Sequence, residues 1–190
     1  MSAELIAEMS VPGAGLRRLR MSWEEFLELP GDLRTEWVDG EVVVSPPVGG
    51  DHGVATTRLG SVLTAALPGL LVGTEVGVWL PRNRLRGPGL VAFPSMPTTR
   101  FLEETPVLVV EVLSPSTRAE DTIRKSPEYA SAGISQYWVV DPEARSLEVF
   151  SNVDGRWEPQ LRLDEQHPTG EVTVGEHGVV PLDLAWILPS

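Results

Sequence analysis

The sequence predicts a mixed α/β fold in which helices flank a mixed sheet that is extended by hairpins. Two observations predict this fold. Helical and strand-like segments alternate along the chain. In addition, a strand–helix–strand crossover spans residues 107–141, and such crossovers connect parallel strands. The length of 190 residues suits one domain with a sizeable core. We therefore predict a flexible leader over residues 1–20 and a single domain over residues 21–190.

The first elements of the predicted domain are a short helix and a hairpin. Ser22 and Glu25 fit a capping box, so a helix should begin there and end at Pro30-Gly31. The next segment, "RTEWVDGEVVVSPP", reads as a hairpin, because Asp39-Gly40 is a dipeptide that tight type I′ turns prefer.

A longer helix and two strands should follow the hairpin. The segment "HGVATTRLGSVLTAAL" brings its apolar residues to one side of a helix that ends at Pro68-Gly69. The segment "LLVGTEVGVWLP" predicts one strand bent by its glycines. A short apolar strand, "GPGLVAFP", begins through Pro88-Gly89.

The second half of the chain predicts the central strand, a helix and further strands. The run "VLVVEVL" is apolar almost throughout, as expected of a strand covered on both faces. The segment "AEDTIRKSPEYASAG" reads as helical until Gly133. Then come a strand "SQYWVVDP", an exposed hairpin turning at Asp154-Gly155, a short strand "EVTV" and an apolar tail "VVPLDLAWIL".

Composition and charge restrict the classes of function. The net charge of −12 disfavours a general grip on nucleic acid, although it leaves room for a local basic cleft. Without cysteine the chain forms no disulfide and no thiolate zinc site. No apolar run approaches the length of a membrane span, and the first residues lack the order of a signal peptide. We therefore expect a cytoplasmic protein.

Glu111 stands inside the apolar central strand. A buried carboxylate loses hydration worth several kcal/mol unless a partner compensates. Two partners are consistent with the sequence, an arginine or a bound cation. The position of Glu111 near the C-terminal end of its strand, where ligand crevices open, favours a site.

Lys125 is the only lysine in the chain, and every other basic side chain is an arginine. A helix packed back on the central strand can bring Lys125 over Glu111. Pro127 complicates this arrangement, because it removes a backbone hydrogen bond. Alternatively, Ser126 caps a second helix and Lys125 lies in a loop, or Lys125 is simply a solvated surface amine.

Several motifs together resemble the Uma-type restriction endonuclease family, a branch of the PD-(D/E)XK nuclease superfamily. The resemblance covers residues 22–188 and rests on segments that follow one another in the family's order: "TEWVDGEVVVSPP", "HGVATTRLGSVL", "PGLVAFPS", "VVEVLSPSTRAED", "RKSPEYASAGISQYWVVDPEARSLEVF" and "PLDLAWIL". It implies a restriction-endonuclease-like core and hydrolysis of DNA phosphodiesters with Mg²⁺ or Mn²⁺. It also implies self-association, as a homodimer.

The resemblance assigns roles to three residues. Glu111 matches the family's glutamate on the central strand, and Glu36 matches a glutamate that approaches the metal. The superfamily's lysine normally stands two residues after the central glutamate, where this chain has Leu113, and Lys125 matches the lysine that this branch carries on the following helix. The resemblance thus implies Glu111 and Glu36 as metal ligands, and Lys125, Glu111 and Glu36 as catalytic residues. Carboxylates suit Mg²⁺, and an ammonium stabilises charge that develops on phosphate.

The chain departs from the family at Gly89. The family's second metal ligand is the aspartate of a Pro-Asp pair, and this chain has Pro88-Gly89. Two functions stay open for this reason. One is a metal-dependent endonuclease acting on DNA, and the other is an inactive nuclease fold that serves as a nucleic-acid or protein binding module.

Overall fold

The computed structural model describes residues 15–31 and 33–188, whose strands form three sheets. The mixed α/β fold class that the sequence predicts is confirmed. The largest sheet has six strands in the order β11-β10-β9-β8-β7-β4. Its strands are β4 (Leu71–Thr74), β7 (Leu90–Phe93), β8 (Leu108–Val112), β9 (Gln136–Asp141), β10 (Ser146–Val153) and β11 (Arg156–Leu163).

The predicted crossover is confirmed in the centre of this sheet. β8 pairs in parallel with β9, whereas the other pairs of the sheet are antiparallel. The chain between β8 and β9 carries a turn of π-helix, here called π1 (Glu120–Lys125), which continues directly into a helix.

A second sheet of five antiparallel strands packs beside the first and has the order β1-β3-β2-β6-β5. It consists of β1 (Arg17–Arg20), β2 (Thr35–Val38), β3 (Glu41–Val44), β5 (Val78–Leu80) and β6 (Arg84–Arg86). The remaining pair is β12 (Thr169–Val174) with β13 (Gly178–Asp183). The predicted turn between β2 and β3 is confirmed, because Asp39 and Gly40 both have positive φ, as a type I′ turn requires.

Four α-helices complete the described part of the chain. They are α1 (Trp23–Leu27), α2 (Gly50–Ala66), α3 (Ser126–Ser131) and α4 (Leu184–Ile187). The capping box predicted at Ser22 and Glu25 is present, with both reciprocal hydrogen bonds. Among residues 15–31 and 33–188, no helix has the length and apolarity that a membrane span requires.

Three sequence predictions need correction. Arg17–Arg20, at the end of the predicted leader, forms β1 and pairs with β3, while residues 1–14 lie outside the described residues. The segment 70–81 forms β4 and β5 in different sheets, with a bend between them at Glu75, whose φ is 55°. The sequence patterns also do not predict β6, a strand whose three residues include two arginines.

The helix after β8 settles the alternatives for Lys125. π1 and α3 form one continuous helical segment, so the prediction that Lys125 lies in a loop is wrong. Pro127 lies in the first turn of α3 and has no N–H with which to continue the regular α-helical pattern. The wider π turn immediately before it accommodates this missing bond.

The described residues form a hydrophobic core of three parts, two of which include residues of β8. One part lies between the six-stranded sheet, α2 and the β12–β13 pair. A second covers the opposite face of the six-stranded sheet, under α3. The third lies between the five-stranded sheet and α1. All five residues of β8 are buried, and the side chain of Glu111 emerges where the two larger sheets meet.

Candidate active site

Glu111, near the end of β8, is compensated by a lysine. Its side chain is buried, and Oε1 accepts hydrogen bonds from the Tyr129 hydroxyl at 2.7 Å and the Lys125 ammonium at 3.2 Å. The backbone N–H of Gly89 points at Oε2 over 3.4 Å. The structure therefore places Lys125, rather than an arginine, as the cationic side chain beside Glu111.

Lys125 lies at the centre of three carboxylates, an arrangement that we call the lysine cage. Its Nζ is 2.8 Å from Glu36 Oε1, 2.9 Å from Asp121 Oδ1 and 3.2 Å from Glu111 Oε1. Only 6% of Lys125 is exposed. The interpretation of Lys125 as a solvated surface amine is therefore wrong. The three residues predicted to form a site, Glu36, Glu111 and Lys125, are in contact.

Asp121 is the member of the cage that sequence reasoning missed. It belongs to π1, as does Lys125, and it is 2% exposed. Its spacing of four residues before Lys125 was an available signal, because residues four apart in a helical segment face the same side. An acidic residue at that spacing from the one lysine could have been nominated on this ground alone.

Glu36 is oriented by a second buried cation, Arg86. Arg86 Nη1 donates to Glu36 Oε2 at 2.8 Å, and the Gly87 N–H donates to Oε1 at 3.0 Å. The other donors of Arg86 bind Glu120 and Glu128. From the sequence alone, an arginine three residues before Gly89 would be expected to repel a cation. The structure surrounds its charge with three carboxylates, so that Arg86 positions Glu36 instead.

The pKa values of the cage reflect its burial and its excess of negative charge. Burial, reinforced by Asp121 and Glu36, raises the pKa of Glu111 to about 8 despite the neighbouring ammonium. Although burial opposes it, Lys125 and Arg86 lower the pKa of Glu36 to about 2. Burial likewise raises the pKa of Asp121. The cage therefore holds more acidic groups than its ammonium neutralises.

Gly89 faces the cage with its backbone alone. A Cβ at this position would lie 3.3 Å from the Val110 carbonyl oxygen and 3.6 Å from the Val112 nitrogen. The residues that follow Gly89 in β7 are buried and apolar, so none of them supplies a carboxylate. The third carboxylate of the cage is supplied instead by Asp121, on π1.

The lysine cage lies at the base of a cleft of about 270 Å³. α1 and the turn after it form one side of the cleft, and β2, β6, the end of β8 and π1 form the other. His52, in the first turn of α2, also lines the cleft. His52 is buried, and this burial lowers the pKa of its imidazole.

The cage has the donor chemistry of a divalent-cation site, although an ammonium is at its centre. Mg²⁺ and Mn²⁺ take oxygen ligands from carboxylates, and three buried carboxylates already surround one cation here. Among the residues that the structure describes, no group of three or more His, Asp or Glu side chains is arranged to hold a metal ion as it stands. The residues fit a divalent cation in charge and ligand type once Lys125 moves aside.

Comparison with known proteins agrees with this architecture. The family model Uma2, described as "Putative restriction endonuclease", matches residues 23–184. The crystal structure of a protein from Anabaena variabilis, described as a putative nuclease belonging to DUF820, is similar with a TM-score of 0.70 and 19% identity. The similarity covers 87% of this chain and 98% of that chain. A search of curated proteins gave no match.

Proposed function

The chain belongs to the Uma2 family of restriction-endonuclease-like proteins, and from this premise we propose that it is a metal-dependent endonuclease that hydrolyses DNA phosphodiesters at the lysine cage. The observation that carries the proposal is the convergence of three buried carboxylates on one lysine at the base of a cleft. A buried excess of negative charge is costly unless a cation relieves it. A structural ion pair would need only one of these carboxylates.

In this proposal Glu111, Glu36 and Asp121 would hold Mg²⁺ or Mn²⁺. When bound, the ion supplies a nucleophilic water and neutralises charge on the phosphate. Lys125 leaves the centre of the cage and places its ammonium against a phosphate oxygen, where it stabilises the charge that develops.

Two neighbours hold the carboxylates in place for these roles. The Tyr129 hydroxyl donates to Glu111 Oε1, which fixes the orientation of that carboxylate. Arg86 and the Gly87 N–H together bind both oxygens of Glu36. Because these donors are fixed before substrate arrives, little reorganisation is needed when the phosphate binds.

A second candidate function is an inactive nuclease fold that binds nucleic acid or protein. The observation that favours it is the combination of Gly89 with the position of Lys125. The family's Pro-Asp carboxylate is missing, and the ammonium of Lys125 already pairs with all three carboxylates of the cage. In this second function the cage needs no metal ion to be stable.

A cleavage assay separates the two functions. Supercoiled, linear and single-stranded DNA would be incubated with Mg²⁺ or Mn²⁺ and the wild-type protein, Glu111→Gln or Gly89→Asp. The proposal predicts cleavage by the wild type and its loss in Glu111→Gln, which retains the size of the side chain. Cleavage by Gly89→Asp alone would establish the inactive fold as the natural state. Absence of cleavage by both the wild type and Gly89→Asp would refute the endonuclease proposal.

Four further expectations remain part of the proposal. DNA as the substrate follows from the family. A homodimer is the expected assembly, and size-exclusion chromatography with light scattering tests it. The single domain over residues 21–190 and the cytoplasmic location also stay predictions.

A further inference from the structure

The depth of the lysine cage restricts the form of nucleic acid that can reach it. Measured on the side chains, the exposed fractions are 8% for Glu36, 5% for Glu111, 3% for Asp121 and 7% for Lys125. The cleft above them has a volume of about 270 Å³, which is below the roughly 300–1,000 Å³ of pockets for drug-sized ligands. It has room for about one nucleotide, so a base would have to leave its stack and its pair before it entered the cleft.

The walls of the cleft suit an unpaired base. Apolar side chains form much of the wall contributed by α1, the turn after it and the loop before β8: Phe26, Leu29, Leu33 and Phe101. The polar residues of the cage form the base of the cleft. A base that has left its stack presents an apolar face to such a wall, and this contact depends little on the sequence.

The rim of the cleft carries two arginines in different states. Arg34 is paired with Glu75 through contacts of 2.7 Å and 2.6 Å. Arg100 is exposed, and its guanidinium lies 5.2 Å from the centre of the Phe101 ring. Within the described part of the chain no carboxylate lies within ion-pair distance of Arg100. Arg100 is thus a cation held against the rim with its hydrogen-bond donors open to a phosphate.

We infer that the cleft takes an unpaired strand of nucleic acid, with a base against its apolar wall and a backbone phosphate on Arg100, rather than an intact duplex. The inference rests on the proposed function, because it names the form of the substrate for the same site. The net charge of −12 is consistent with the role given to Arg100, since a strongly acidic protein needs a local contact to hold a polyanion.

Binding measured without metal tests this inference apart from cleavage. Fluorescence anisotropy in EDTA would follow labelled oligothymidylate, free or annealed to oligoadenylate, with oligouridylate to distinguish DNA from RNA. The proteins would be the wild type, Arg100→Ala and, as a matched control, Arg156→Ala. Arg156 is exposed in β11 and does not line the cleft, so both substitutions remove one surface charge.

We expect the wild type to bind the single strand about tenfold tighter than the duplex. Arg100→Ala should weaken single-strand binding several-fold and reduce the slope of log affinity against log salt by about 0.7, whereas Arg156→Ala should behave as the wild type. Equal or tighter binding of the duplex, no binding to either form, or equal effects of the two substitutions would overturn the inference. Retained single-strand binding without cleavage would refute only the endonuclease proposal.

Discussion

Substitution of Gly89 by aspartate adds a carboxylate beside Glu111 and so probes the charge of the cage. Two features limit its steric cost. Gly89 does not adopt a positive φ, so an L side chain meets no backbone strain. The new Cβ would lie 3.3 Å from the Val110 carbonyl oxygen, which requires a shift of only a few tenths of an ångström. Gly89→Asn carries the same steric cost without the charge and is the matched control.

The electrostatic cost follows from the distances at the site. The Gly89 nitrogen is 3.4 Å from Glu111 Oε2, so an aspartate side chain would end within ~5 Å of that carboxylate. At this separation and an effective dielectric constant of ~20, the repulsion is on the order of 3 kcal/mol. We expect Gly89→Asp to be less stable than Gly89→Asn by about that amount in EDTA above about pH 8, where the carboxyl of Glu111 is ionised. Mn²⁺ at a hundredfold excess over its Kd should offset roughly 2.7 kcal/mol.

The assay is urea unfolding of both variants with EDTA and with Mn²⁺, together with Gly89→Asp/Glu111→Gln. The double variant removes the repelling charge, and its stability should return to that of Gly89→Asn. If Gly89→Asp and Gly89→Asn unfold at the same urea concentration under both conditions, the cage has no excess negative charge and the reasoning is refuted.

Three other predictions concern the cage itself. Lys125→Met should lose about 3–5 kcal/mol of unfolding free energy at neutral pH, because three buried carboxylates lose their cation. Lys125→Arg keeps the charge and should lose less, so equal losses of the two variants in urea unfolding would contradict the prediction. The pKa of Glu111 is raised from 4.5 to about 8, so its contribution to stability is full below pH 4.5 and is lost as the pH rises through 8. The pKa of Glu36 is lowered from 4.5 to about 2, so its contribution to stability is full above pH 4.5 and is lost as the pH falls through 2. Glu111→Gln should therefore flatten the fall in Tm on the alkaline side, and an unchanged profile would count against the raised pKa. Tyr129→Phe removes a donor to a buried carboxylate and should cost about 1–3 kcal/mol of unfolding free energy. Tyr137→Phe should cost less, because the hydroxyl of Tyr137 donates to a backbone carbonyl. A reversed order in thermal unfolding would show that Glu111 does not need the Tyr129 donor.

Local patterns predicted the elements that are determined by nearby residues. The capping box at Ser22 and the type I′ turn at Asp39-Gly40 depend on two to four adjacent residues, and both are present. The parallel pairing of β8 and β9 followed from the strand–helix–strand order of residues 107–141. Glu111 stood out because a charge in such a run is costly, and Lys125 because no other lysine occurs.

Features that depend on contacts between distant segments were not predictable in this way. Arg86 looked like an obstacle to a cation, because nothing in the sequence shows that Glu36, Glu120 and Glu128 surround it. Arg17–Arg20 looked like part of a leader, because its partner β3 lies more than twenty residues later. In each case a charged side chain is accommodated by residues that only the fold brings together.

Binding of Mn²⁺ shows whether the lysine cage accepts a divalent cation in place of the ammonium. The measurement is an electron paramagnetic resonance titration of Mn²⁺ with the wild type, Glu111→Gln and Asp121→Asn. We expect one bound Mn²⁺ per chain in the wild type and weaker binding in both variants. No bound Mn²⁺ in the wild type, or binding that neither substitution weakens, would contradict it.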